Sequence, residues 1–232
     1  MINTSSTYQT IMSDPAHTTE VRLDINNVSY YSDSIVSMNA VRSLFQSDSP
    51  SVGGCSAAEI DAVLLIPSAS IPRMATLNPY IRVRSANGLT VSEWIPQGKF
   101  FIDTRVLDPE TGSLTIHGYD AMLKGEQLYL TGNNWSGSTK TVSTVVNEIA
   151  TRMGVSIDSR TSLTNYYVTK PADDATMREV LGHIGASQCG NWIITLEGKL
   201  LLIRMNDIPA ETSLLVDDYG NPIVFGGVRI IV

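Results

Sequence analysis

Three histidines are the first residues to consider for chemistry, because imidazole can act as a general base or bind a metal near neutral pH. His17, His117 and His183 lie too far apart in sequence to suggest a ligand pair. His117 is close to Asp120, and a Ser/His/Asp hydrolase uses such a base and carboxylate together. That mechanism also needs a nucleophile on a sharp turn, and the sequence contains no Gly-x-Ser-x-Gly elbow. The sequence therefore does not support a catalytic triad.

Acidic residues offer a second kind of chemistry, since an acid and a base about 5 to 9 Å apart can hydrolyse a glycosidic bond. The β-rich part of the chain has several carboxylates but no pattern that selects a pair: Glu59, Asp61, Asp103, Asp108, Glu110 and Asp120. Glu59 and Asp61 share one face of a predicted strand, which favours a solvated face. Asp173 and Asp174 precede a predicted helix, where capping accounts for carboxylates without a metal.

The other reactive groups also lack a recognisable pattern. Cys55 and Cys189 have no Cys or His at metal-ligand spacing, so we predict two buried thiols, with one long-range disulfide as the alternative. Neither Gly-x-Gly-x-x-Gly nor a P-loop is present. Trp94, Trp135 and Trp192 could stack on sugars, but their scatter favours packing in a core or an interface. We predict no catalytic, cofactor-binding or metal-binding residues, and no enzymatic activity.

Composition limits the partners and the location of the protein. With 232 residues, 43% of them hydrophobic, the chain can form one large core or two modest ones, and we expect two. A net charge of -7 and a pI near 4.9 argue against nucleic acid as a partner. The longest apolar run, residues 62–66, is far shorter than the ~20 residues of a membrane-spanning helix, and residues 1–10 lack a signal-peptide core. These features predict a cytoplasmic protein without a membrane-spanning segment.

The first part of the chain has the pattern of a β-rich domain. Residues 1–18 lack periodicity and predict a poorly ordered N-terminal arm, or one that orders only against a neighbour. Asn87-Gly88 and the loop at residues 108–112 predict hairpin turns. Residues 34–47 are ambiguous and favour helix or irregular structure. Alternating or apolar runs predict strands at residues 19–25, 57–66, 80–84, 91–95, 99–107 and 113–118.

The second part has the pattern of a small α/β unit. Residues 130–140 are rich in Gly and Asn and predict a domain boundary. Apolar residues at helical spacing predict a helix between an N-cap at Thr141 and a left-handed stop at Gly154. Thr176 and Glu179 form a capping-box pattern that begins a second helix. A hairpin is predicted around Glu197-Gly198.

These elements predict an α+β fold, with a β-rich barrel-like domain followed by a small α/β domain of two helices and a hairpin. The predicted divisions are an arm at 1–18, the β-domain at 19–130, the α/β domain at 131–205, and a C-terminal strand segment at 206–232. The chain ends on the strand-like residues 229–232. We expect this last segment either to return to the β-domain or to lead into a further domain of a longer protein.

Several segments resemble the baseplate hub proteins at the tail tip of phages and prophages, a family related to late control protein D and to the N-terminal regions of tail-associated lysins. The resemblance spans roughly residues 50–204. In the β-rich part it rests on Trp-Ile-Pro-Gln-Gly-Lys-Phe-Phe-Ile at 94–102 and Leu-Thr-Ile-His-Gly-Tyr-Asp-Ala-Met-Leu at 114–123. Four further segments match: residues 54–59, 176–184, 190–192 and 197–200.

The resemblance implies a structural role. Hub proteins form a ring, so the implied partners are two further copies in a homotrimer and other tail proteins, such as the distal tail and tail tube proteins. The implied location is the virion tail tip, after a period in the cytoplasm of the bacterial host. The alternative is a tail module that degrades cell wall through His117 or Asp120, or binds glycan through Trp94 or Trp135. The enzymatic parts of the relatives lie downstream, and no catalytic residue of theirs matches here.

Overall fold

The computed structural model describes residues 4–45, 49–66, 71–132 and 135–205, together with the backbone of two short strands near the C-terminus. The first part forms a short helix and eight strands: α1 (Ser6–Met12), β1 (Thr18–Ile25), β2 (Val28–Tyr31), β3 (Ile35–Val41), β4 (Glu59–Leu65), β5 (Thr76–Arg84), β6 (Ile95–Pro96), β7 (Phe100–Leu107) and β8 (Ser113–Tyr119). After a 3-10 helix at Ala121–Glu126 come β9 (Thr139–Thr141), α2 (Val142–Met153), β10 (Tyr167–Thr169), α3 (Met177–Ser187), β11 (Gly190–Ile194) and β12 (Leu200–Arg204). The short strands are β13 (Val224–Phe225) and β14 (Val228–Arg229), which pair with each other.

The eight strands of the first part form one antiparallel sheet. Seven of them lie in the order β2-β1-β5-β7-β8-β4-β3, and β6 pairs with β5. Among the described strands the sheet is open, because the end strands β2 and β3 each have one neighbour. The α+β class predicted from the sequence is confirmed, and the barrel-like part is an open sheet.

Alternating burial explains why this sheet forms. In β4 the side chains of Ile60, Ala62 and Leu64 are buried, whereas Glu59 and Asp61 are exposed on the other face. The buried side chains of the sheet make one hydrophobic cluster, centred on Leu23, Ile60, Leu64, Leu77, Phe100, Ile102 and Ile116. Since β4 pairs with both β3 and β8, it is an interior strand of the sheet.

A second hydrophobic cluster lies under α2 and α3. The Thr141 hydroxyl caps α2 by accepting from the Thr144 amide, and Gly154 ends it with a φ of 70°. Thr176 and Glu179 form the complete capping box of α3. The predicted hairpin is confirmed as β11 and β12. The cluster is centred on Tyr129, Val145, Ile149, Met153, Leu181 and Trp192.

The chain passes between the two clusters at residues 51–58 as well as after β8. Cys55 forms a parallel bridge with Trp192, and the Trp192 amide donates to the Gly54 carbonyl, so this segment adds to β11. Cys55, Ala121, Met122 and Tyr129 all belong to the second cluster although they precede residue 131. Whether the chain divides into separate domains at the predicted boundary stays a prediction.

Three local predictions differ from the structure. Ile35–Val41 forms strand β3, because pairing with β4 outweighs the helix-like spacing of its apolar residues. The N-terminal arm contains α1, whose N-cap Ser5 donates to the Glu93 carboxylate, so part of the arm orders against its own chain. Residues 91–95 contribute only a bridge at Val91 and the start of β6, and the hairpin after β5 has a longer loop than the Asn-Gly turn predicts. Most of the predicted segment 206–232 lies outside the described residues.

Candidate interaction surface

The two residues of the hypothetical hydrolase pair point in different directions. The His117 ring lies on the exposed face of β8, where its Nδ1 is 2.7 Å from an Asp61 carboxylate oxygen. The Tyr119 ring meets it edge-on, with 4.7 Å between centroids. Asp120 follows β8 and is buried on the opposite side, with 1% of its surface exposed. The structure therefore does not bring His117 and Asp120 together.

Asp120 holds a turn at the junction of the two clusters. Its two carboxylate oxygens accept hydrogen bonds from the Ala58 and Met122 amides, each at 2.9 Å, so it caps the 3-10 helix and ties residues 51–58 to it. Burial raises the pKa of Asp120 to about 6, against the opposing effect of those amides and of Arg42 and Arg178. Capping accounts for this carboxylate without a catalytic role.

Arg42 and Arg178 fasten the same junction. The Arg42 guanidinium donates to the Gln97 carbonyl at 2.8 Å and to the Ile194 carbonyl at 3.1 Å, and burial lowers its pKa. Arg178 donates to the Cys55 carbonyl at 2.9 Å and pairs with Glu126 at 2.5 Å. No local sequence pattern indicates this role of Arg42, because its partners are 55 and 152 residues away.

The carboxylates considered for glycoside hydrolysis mostly lie in solvent. Glu59 and Asp61 are exposed on one face of β4, as predicted. Partial burial raises the pKa of the Tyr119 phenol. The negative charges of three nearby carboxylates raise this pKa further: Glu59, Asp103 and Asp61. Asp108 accepts hydrogen bonds from residues 110 and 111 within its own turn, and these bonds lower its pKa. Glu59, Asp61 and Asp103 therefore belong to the exposed surface of the sheet, and Asp108 belongs to a turn.

Asp173 and Asp174 do not cap α3, so the capping prediction is wrong for them. The N-cap is Thr176, whose hydroxyl accepts from the Glu179 amide. Asp173 instead pairs with Lys170 at 2.6 Å, and the Asp174 residue is exposed. The capping box satisfies the free amides at the start of α3, which leaves both aspartates in the loop that leads into it.

The prediction of two buried thiols is right for one cysteine only. Cys55 is buried against the second cluster, and burial raises its pKa to about 12. Cys189 is exposed in the turn after α3, with a φ of 52°. No disulfide joins Cys55 and Cys189 in the structure, so the alternative of a long-range bridge between them is wrong there.

The three tryptophans pack against the protein. Trp192 is fully buried, and Trp135 lies edge-on to Tyr129 against the second cluster, with 6.3 Å between centroids. Trp94 is half-buried on the outside of the sheet, where the guanidinium carbons of Arg22 and Arg82 lie 5.0 and 4.4 Å from the centre of its rings. Arginine therefore already occupies the ring face that a sugar would need.

Strands β3, β4, β8 and β7 present a continuous exposed face. Cross-strand partners of an antiparallel sheet point to the same side, and the partners Asn39, Asp61, His117 and Thr104 form one row across it. The neighbouring row is Ser37, Val63, Thr115 and Val106. We call this surface the outer face. It mixes polar side chains with exposed apolar ones, as many protein interfaces do.

Two free strand edges flank the outer face. Among the described strands β3 pairs only with β4, and its Val36 and Val41 are 60% and 53% exposed. In the described residues β7 pairs with β5 at Phe100 and Phe101, and the Ile102 amide donates to the Ala75 carbonyl, so from residue 103 onward β7 pairs with β8 alone. Val106, in that outer half, is 64% exposed. Free edges that carry apolar side chains are the usual sites of strand pairing between chains.

The described residues contain no cluster of three or more His, Cys, Asp or Glu side chains that could hold a metal ion. None of the helices in that part of the chain has the length and apolar character needed to cross a membrane.

Comparison with known proteins shows a likeness in fold. No protein-family model matches the sequence, and no curated protein matches it. The 43 kDa tail protein of prophage MuSo2 from Shewanella oneidensis superposes on 85% of this chain with a TM-score of 0.54 and 11% identity. A tail protein from Neisseria meningitidis MC58 superposes on 88% of it with a TM-score of 0.50 and 14% identity. This chain shares its fold with these two tail proteins. It spans 59% and 53% of the length of those two proteins.

Proposed function

We propose that this chain is a structural, non-enzymatic component of the tail tip of a phage or prophage. The observation that carries the proposal is the fold shared with the MuSo2 tail protein over 85% of the chain. The sequence resemblance to baseplate hub proteins supports the more specific assignment to the hub that joins the tail tube to the tip. The protein would be made in the cytoplasm of the bacterial host and then built into the virion.

The free edges support assembly into a ring. A ring needs a heterologous contact, in which two different patches of one subunit meet their counterparts on its neighbours. The edge of β3 and the outer half of β7 are different edges on opposite sides of the outer face, as such a contact requires. We propose a homotrimer, with the distal tail and tail tube proteins as further partners.

Mass in solution tests the assembly. Size exclusion coupled to light scattering, over a range of protein concentrations, should give a mass about three times 25.2 kDa. A monomer at every concentration would contradict self-assembly through this chain alone.

A matched pair of variants tests the surface. Val106→Lys places a charge on the free edge of β7, whereas Leu89→Lys places the same charge on the loop after β5, where the side chain is 86% exposed. We expect Val106→Lys to shift the mass toward the monomer and Leu89→Lys to leave it unchanged, because a lysine on an edge strand opposes pairing between chains. Equal masses for the two variants would rule out this edge as the contact.

The non-enzymatic assignment has a separate test. It is supported by the separation of His117 from Asp120 and by the binding of Asp120 to backbone amides. Incubation with isolated peptidoglycan should release no soluble fragments. Release that disappears in His117→Ala would instead establish a cell-wall-degrading module.

A further inference from the structure

A groove of about 610 Å³ runs between strand β10 and helix α3. Its floor is apolar and consists of Val145 from α2 and of Val180 and Ile184 from α3. The wall opposite α3 is formed by residues 167–172, which are β10 and the three residues after it.

The strand presents its backbone edge to this groove. Side chains of a strand alternate between its two faces, so the three consecutive residues of β10 can all line one groove only if the edge of the strand faces it. In the described residues β10 pairs with β9 on one side and with no strand on the other.

The register identifies the backbone groups on the free edge. The Val142 amide donates to the Tyr166 carbonyl, so Tyr166 faces β9, and so does Val168 two residues later. The N–H and C=O groups of Tyr167 and Thr169 therefore point away from β9. The Tyr167 side chain is 72% exposed beside them.

We propose that this groove binds an extended segment of a partner protein. The segment would add to the free edge of β10 as a new strand and place an apolar side chain on the floor of the groove. A strand edge beside a helix is one of the recurring arrangements for peptide recognition, because backbone hydrogen bonds give affinity and alternate side chains enter pockets. Val145, Val180 and Ile184 supply such a pocket.

Charge around the groove selects a basic segment. Asp174 and Glu179 line it, and Asp173 lies next to Asp174 in the loop. The Lys170 ammonium, which also lines the groove, is already 2.6 Å from the Asp173 carboxylate. The rim therefore keeps an excess of negative charge. A segment with lysine or arginine beside its apolar residues would complement it.

Two short peptides test the proposal directly. The probes are fluorescein-labelled KTVTVTK and its charge-reversed form ETVTVTE, titrated with the full chain and followed by fluorescence anisotropy. We expect the basic peptide to bind at least roughly tenfold more tightly than the acidic one. Hydrogen exchange should then show new protection at the Tyr167 and Thr169 amides, which lie on the free edge. Absence of binding by KTVTVTK, equal binding of the two peptides, or protection elsewhere would each overturn the proposal.

A pair of substitutions at one position tests the strand edge. Thr169→Pro removes the N–H that points to the groove, while Thr169→Val keeps it and changes only the side chain. We expect Thr169→Pro to weaken binding of KTVTVTK by roughly tenfold or more and Thr169→Val to change it by less than about twofold. Equal affinities of these two variants would refute strand addition.

A charge reversal provides a test that does not depend on how well the proline variant folds. Asp174 is exposed in the loop before α3, so Asp174→Lys leaves the core and the capping box intact. It should lower the affinity for KTVTVTK and raise the affinity for ETVTVTE. A change in the same direction for both peptides would show that the rim charges do not select the ligand.

Discussion

The buried carboxyl of Asp120 should make stability depend on pH in an unusual direction. Asp120 is 1% exposed and accepts hydrogen bonds from the Ala58 and Met122 amides. Burial nevertheless raises its pKa from an ordinary value of 3.8 to about 6. The variant Asp120→Asn keeps the size of the side chain and cannot ionise. Its NH2 group cannot accept one of the two hydrogen bonds at any pH, so the change of the difference with pH, and not the difference itself, reports the charge.

The size and sign of the effect follow from linkage. A pKa of about 6 in the folded state and 3.8 in the unfolded state corresponds to roughly 3 kcal/mol. The folded state binds this proton more tightly than the unfolded state does. The stabilisation is therefore complete when the pH is below the pKa of the unfolded state, and it is lost as the pH rises through the pKa of the folded state. Between about pH 4 and pH 7, the wild type should therefore lose roughly 2 to 3 kcal/mol of unfolding free energy relative to Asp120→Asn.

Urea unfolding followed by circular dichroism measures this difference. Both proteins would be unfolded at about pH 4 and pH 7, at low protein concentration because the pI near 4.9 lies within the range. The reasoning is refuted if the wild type gains stability relative to the variant as the pH rises. That result would mean that the two amides, with Arg42 and Arg178, outweigh burial and hold the pKa of Asp120 below 3.8.

Three further predictions concern the two thiols, the close contact between Gly98 and Arg42, and the N-terminal cap of α3. A thiol reagent should modify exposed Cys189 quickly and buried Cys55 only in urea, as mass spectrometry would show. In Gly98→Ala the new Cβ would lie 2.0 Å from the Arg42 guanidinium. Thermal unfolding should therefore show that the unfolding free energy falls by about 2 kcal/mol or more. An unchanged melting temperature would show that Arg42 can move without cost. Thr176→Ala removes the cap of α3 and should lower the unfolding free energy by about 1 kcal/mol in urea titration, whereas a neutral result would mean that the capping box adds no stability.

Features set by near neighbours in sequence could be predicted. The helix from Thr141 to Gly154 and the capping box at Thr176 depend on residues within a few positions of each other, and both match the structure. The turn at 108–112 is formed by Asp108 and a left-handed Gly112, as its sequence indicates. Alternation along β4 identified both the buried and the solvated face of that strand.

Features set by distant partners could not be predicted. Strand β3 has helix-like spacing, and only its pairing with β4 makes it a strand. Arg42 shows no local pattern, although it joins the loop before β7 to strand β11. The groove beside β10 could not be predicted for the same reason, since its walls lie on segments that the sequence does not place side by side.

The segment at residues 51–58 links the two hydrophobic clusters mechanically. The Gly54 carbonyl accepts from the Trp192 amide of β11, and four residues later the Ala58 amide donates to Asp120 at the end of β8. Strand β4 begins directly after it, so its first residues are anchored from both sides. The two clusters are therefore joined by this segment and its backbone hydrogen bonds as well as by the chain that follows β8.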